Sequence, residues 1–157
     1  NISSLTESLL SRKKEIQSIV VTRVFPSALI VQIKERKGVV QVFSENGVTV
    51  LDSEGFAFKK GPEALPLFWP LPKNKNDLLR VISWYTENKP NSVNGLTWDQ
   101  NIGLVVETKN RTRVYLGKKH YSESWNRAQE SLDYLKSKGL RARIIDATYN
   151  ARAVITL

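Results

Sequence analysis

Apolar and polar positions alternate through the stretch that follows Phe25-Pro26. Leu29, Val31 and Ile33 fall on one side, and Ile30, Gln32, Lys34 and Arg36 on the other. A period of two with one side turning polar predicts a half-buried strand. The β-branched run 19–25 predicts a strand before it, with the turn at Pro26-Ser27. Strands over 39–43 and 48–51 are predicted to meet at Asn46-Gly47, a hairpin signal whose two central positions need positive φ. Asp52-Ser53-Glu54-Gly55 predicts a further turn, ahead of Phe56 and Phe58.

Helical periodicity shows in three places. Ser4-Leu5-Thr6-Glu7 fits a capping box opening a helix over 4–14, with Leu5 and Leu9 on one face. Asn76 is the expected cap of a helix that runs to Asn88, before Pro90. Its expected buried stripe is Leu78, Leu79, Ile82 and either Trp84 or Tyr85. A third helix over 123–138 places Trp125, Ala128, Leu132 and Leu135 three or four apart, and Gly139 ends it. Strands are expected over 96–98, 102–108, 113–116, at Ile144-Ile145, and finally over 149–157. The sum is an α+β chain.

Gly61, Pro62, Pro66, Pro70 and Pro72 interrupt the pattern. Proline at that density suits neither a helix nor a central strand. It marks 61–73 as a linker between a unit over 1–60 and a second over 74–157. Phe68 and Trp69 suggest that this linker packs.

Charge narrows the partners. The chain has 157 residues and a formal net charge of +9, which suits acidic partners such as nucleic acid, anionic lipid or acidic protein segments. The basic residues are scattered; the densest groups are Arg12 to Lys14, Lys34 to Lys37, Lys109 to Arg113, and Lys118-Lys119. Solvated faces of a basic protein account for such groups as well as a binding surface does.

Most catalytic chemistry lacks its residues. There is no cysteine, so thiol catalysis and Cys-ligated metal are excluded. His120 is the only histidine and reads as a surface residue before a helix. No serine sits in G-x-S-x-G, and no phosphate-cradling glycine motif occurs. Asp99 with Glu107, or Asp133 with Asp146, has no spacing that favours a metal or a carboxylate pair. No enzyme activity, cofactor or metal is expected. Phe43, Trp98 and Tyr115 near basic residues fit a nucleic-acid stacking platform in kind, but no RNP-like run accompanies them, and strand aromatics more often pair across a sheet. Asn110-Arg111-Thr112 matches a glycosylation sequon.

Five short motifs in order resemble the FtsQ/DivIB family of bacterial cell-division proteins. Arg23-Val24-Phe25-Pro26-Ser27-Ala28-Leu29-Ile30-Val31-Gln32-Ile33-Lys34-Glu35-Arg36 is similar to the family's POTRA-domain strand pair. Leu51-Asp52-Ser53-Glu54-Gly55-Phe56-Ala57-Phe58, Leu71-Pro72, Leu116-Gly117 and Ile145-Asp146-Ala147-Thr148-Tyr149 resemble its later landmarks. Gly38 stands where the family usually has a proline, and Thr148 where it has an arginine.

The resemblance implies a POTRA domain over 1–60 whose first strand is missing, the linker, and a β domain over 74–157 with a mostly antiparallel sheet and two flanking helices. It implies a fragment of a single-pass inner-membrane protein, this region being extracytoplasmic at the division septum, with the membrane helix outside the sequence. It implies partners of the FtsB/DivIC and FtsL type, added as a strand at the C-terminal edge, and no nucleic acid. The partner-binding residues so expected are Lys118, Tyr149, Ala151, Ala153, Ile155 and Leu157. Lys118 takes the place of a family arginine that meets a partner carboxylate. Two rivals are a POTRA-bearing component of outer-membrane assembly or secretion, and a basic nucleic-acid-binding module.

Overall fold

The computed structural model describes residues 2–59 and 64–157. Helix α1 (Ile2–Arg12) leads into a hairpin of β1 (Ile16–Val24) and β2 (Ala28–Glu35). These two strands pair antiparallel, from Val24 opposite Ala28 to Ile16 opposite Glu35. Every residue of β2 is exposed, so the strand predicted as half-buried is open on both faces. The hairpin is a separate two-stranded sheet among the described residues.

A nine-stranded sheet holds the rest. Its strands are β3 (Val40–Ser44), β4 (Gly47–Leu51), β5 (Ala57–Phe58), β6 (Leu67–Phe68), β7 (Val93–Asp99), β8 (Gly103–Thr108), β9 (Arg113–Gly117), β10 (Ile144–Asp146) and β11 (Val154–Thr156). The spatial order is β11-β10-β9-β8-β7-β6-β3-β4-β5. Most neighbours are antiparallel; β3–β6, β6–β7 and β9–β10 are parallel. The fold is α+β. Gly61 and Pro62, at the start of the expected linker, lie outside the described residues. Farther along that linker, β6 pairs on one side with β3 and on the other with β7, so the sheet is continuous across the proline-rich stretch.

Helices α2 (Lys75–Asn88) and α3 (Tyr121–Ser137) cover one face. Alternate strand residues supply that face: Val40 and Val42, Leu51, Phe68, Leu96, Leu104 and Val106, Val114 and Leu116, and Ile145. The helices meet it with Val81, Ile82, Trp84, Trp125, Ala128 and Leu135. Trp84 and Trp125 join the helices edge to face, ring centroids 5.9 Å apart, a geometry that suits the ring quadrupoles. The stripe expected on α3 is the stripe observed. On α2 the fully buried residues are Val81, Ile82 and Trp84.

Four of the differences from the sequence expectation concern caps and turns. Ser4 lies inside the first turn of α1, where Thr6 Oγ1 donates to the Ile2 carbonyl, and does not precede the helix. The cap of α2 is Asn74, whose Oδ1 accepts from the Asn76 amide at 2.8 Å. In the β3–β4 hairpin Ser44 pairs with Gly47, so the loop is Glu45-Asn46 and Gly47 alone has positive φ, at 102°. The last strand is short: 149–151 form a bend and turn, with Ala151 at φ 62°. Because β11 runs antiparallel to β10, the chain reverses within that segment and no continuous strand over 149–157 fits.

Candidate functional site

β11 ends the sheet. Ile144, Ile145 and Asp146 of β10 stand opposite Thr156, Ile155 and Val154. No strand among the described residues pairs with its outer flank. Val154, Ile155 and Leu157 are all exposed. An unpaired edge of this kind offers its backbone groups to a further strand.

The loop entering β11 is held by named bonds. Asp146 Oδ1 accepts from the Thr148 amide at 3.0 Å and the Thr148 hydroxyl at 2.6 Å. From α3, Arg127 Nη2 donates to the Ala147 carbonyl at 2.8 Å. The Ala147 amide donates to the Tyr115 carbonyl at 3.0 Å, carrying the parallel β9–β10 pairing one residue further. That register sets Thr148 beside Gly117: a Cβ placed on Gly117 would lie 3.6 Å from Thr148 Cγ2.

Lys118 and Tyr149 therefore sit at the same end of the sheet. Both side chains are exposed. Tyr149 has the Arg152 guanidinium carbon 5.2 Å from its ring centroid, within the range of a cation–π contact. Ala153 is half-buried and packs against the core, while Ile155 opposes the buried Ile145. Ala153, Ile155 and Leu157 alternate on the core side, but Tyr149 and Ala151 belong to the turn and do not continue that row. Arg127 and Arg152 also shape this end. Their positions follow from the turn at 149–151 and from helix packing, which the chain pattern does not specify.

Lys118 lines a second feature, a hollow of about 710 Å³ shared with Asp77, Trp98 and Asp99. The Asn101 and Ile102 amides donate to Asp99 Oδ1 at 2.8 and 2.9 Å. These donors, Ile102 first, hold the Asp99 carboxyl below its ordinary range, with a smaller attraction from Lys118. Among the described residues no cluster of metal-ligating side chains occurs, and no helix is long and apolar enough to cross a membrane.

The three aromatics considered for stacking divide between faces. Trp98 follows Leu96 by two and packs against the core, whereas Tyr115 stands opposite Val105 on the other face. Phe43 lies on that other face too, edge to face with Trp69 at 5.7 Å.

The architecture defines an α+β protein with two helices on one face of a nine-stranded sheet and an open C-terminal edge strand. Compared with family models and with curated proteins, the chain matches none.

Proposed function

We propose that this chain is the extracytoplasmic region of a membrane-anchored bacterial cell-division protein of the FtsQ/DivIB type. It works without catalysis, at the septum on the outer side of the inner membrane, and recruits FtsB/FtsL-type partners by strand addition along β11. In this reading 1–60 is the POTRA unit, joined through β6 to the β domain over 74–157.

The observation that carries the proposal is the exposed, apolar flank of β11 at the sheet's end. Strand addition supplies main-chain hydrogen bonds for affinity and alternating side chains for selectivity. Lys118 and Arg152 near the entry to β11 provide cations for partner carboxylates. The sequence motifs support the family reading, and the open edge supports the mechanism.

The test is a titration of the chain with the extracytoplasmic segment of an FtsB/FtsL-type partner. Tyr149→Ala combined with Lys118→Glu is expected to weaken binding by about tenfold or more, with the melting temperature unchanged because both side chains are exposed. Unchanged affinity rejects the site. Absence of binding by the unmodified chain rejects the function.

A further inference from the structure

The start of β9 and the approach to β10 bring together basic residues that lie thirty positions apart in sequence. Thr112 and Ala142 are buried. Thr112 Oγ1 donates to the Ala142 carbonyl at 2.7 Å, and the Arg113 amide donates to the Arg143 carbonyl at 2.9 Å. With 112 and 142 turned inward and tied together, their neighbours turn outward. Arg111, Arg113, Arg141 and Arg143 are all exposed and line one hollow of about 590 Å³, completed by Ile144. Lys109 and Asn110 join Arg111 and Arg141 around an adjoining hollow of about 370 Å³.

No carboxylate lines either hollow. None of the five cations makes an ion pair among the described residues. Glu107 stands opposite Arg113 across β8–β9, yet its Oε1 accepts from Asn94 Nδ2 at 3.2 Å. Asp133 lies in an adjoining hollow toward α3, which Lys109 and Arg141 also line, yet it makes no ion pair with either of them. The four arginines thus share one hollow with no carboxylate paired to them among the described residues.

We propose that Lys109, Arg111, Arg113, Arg141 and Arg143 form a binding site for phosphate groups, wide enough for more than one. Guanidinium is planar, permanently charged and matched to two phosphate oxygens at once. The backbone that carries four such forks is fixed by the Thr112–Ala142 and Arg113–Arg143 bonds before a ligand arrives. The site lies at the opposite end of β9 from Lys118, a strand length of about 15 Å away, so it is separate from the residues assigned to partner entry. The same chemistry is offered by free polyphosphates and by crowded phospholipid headgroups.

The experiment titrates the chain with inorganic tripolyphosphate by calorimetry at about 50 and 300 mM salt. In parallel, the chain is sedimented with phosphatidylcholine vesicles containing phosphatidylglycerol. Arg141→Gln with Arg143→Gln is compared with Lys34→Gln plus Lys119→Gln, which removes the same charge elsewhere; melting curves establish that both fold. Expected is a loss of about tenfold or more in the arginine variant and little change in the lysine variant. Vesicle binding that tripolyphosphate displaces identifies headgroups as the source. Tripolyphosphate binding without vesicle binding identifies a soluble phosphate. Equal weakening in the two variants overturns the proposal, because net charge alone then explains the affinity. So does failure of both probes at low salt, even if a single-stranded oligonucleotide binds.

Discussion

Arg36 and Asp52 form an ion pair at 2.6 Å, their side chains 13% and 5% exposed. It links the end of the β1–β2 hairpin to the turn between β4 and β5. Arg36 also donates through Nε to the Lys14 carbonyl at 3.1 Å and lies 4.0 Å above the Phe56 ring. Asp52 Oδ1 accepts from the Glu54 and Phe56 amides, both at 2.9 Å. Removing one member strands a buried charge, which typically costs about 3–5 kcal/mol. Arg36→Ala is expected to destabilise the chain by about that much, and Arg36→Met by less. Urea unfolding measures both. A loss under about 1 kcal/mol for Arg36→Ala contradicts a structural role for the pair.

That pair shows what the sequence made legible and what it did not. Two of the motifs that suggested a family, one ending at Glu35-Arg36 and one starting at Leu51-Asp52, meet through it. Their order was visible; their contact was not, because an ion pair sixteen residues apart depends on how the turn folds. The stripe on α3 was readable because a covered helix face imposes its period on the chain. The start of the last strand was misjudged because Tyr149 and Ala151 look apolar, yet Ala151 sits at positive φ to reverse the chain. The arginine hollow was only half visible: Lys109 to Arg113 is dense in sequence, but Arg141 and Arg143 join it through the Thr112–Ala142 and Arg113–Arg143 bonds and the β9–β10 pairing.

Gly103 and Gly47 give a paired test of backbone crowding. Both have φ near +100° (99° and 102°). A Cβ on Gly103 would lie 2.2 Å from the Gly117 carbonyl oxygen, whereas one on Gly47 meets nothing within 4 Å. Gly47→Ala therefore incurs conformational strain alone, about 1–2 kcal/mol. Gly103→Ala adds a backbone clash and is expected to exceed about 3 kcal/mol. Chemical denaturation of the two variants side by side checks the order; equal losses contradict the close β8–β9 approach.

Burial raises the pKa of Tyr85 and of Tyr121 above the ordinary phenol value. A raised folded-state value means the unfolded chain ionises first. Stability is therefore full below the unfolded value of about 10 and declines as pH rises through the folded values. Melting temperature should fall on going from about pH 9.5 to 11.5. Tyr121→Phe should flatten that fall, after a pH-independent loss of about 1 kcal/mol for the bond from its hydroxyl to the Lys118 carbonyl. A variant as steep as the unmodified chain sinks this assignment.

Arg127 couples helix packing to the open edge. Its Nη2 holds the Ala147 carbonyl, at the point where β10 gives way to the loop before β11. Arg127→Met keeps most of the stem and removes that donor, leaving a buried carbonyl unsatisfied at a cost of about 1–3 kcal/mol. The same change removes Nε, which is buried without a partner among the described residues, so part of the cost is regained. A net global loss near 1 kcal/mol is expected, with the larger effect local. Amide exchange in β10 and β11 should quicken while that in β7 and β8 stays slow, since β9 separates the latter strands from the edge that Arg127 holds. In the strand-addition reading, a looser edge must be ordered before it can pair, so partner affinity should fall along with exchange protection. Uniform acceleration across the sheet, with affinity intact, contradicts a local role for Arg127 at the edge.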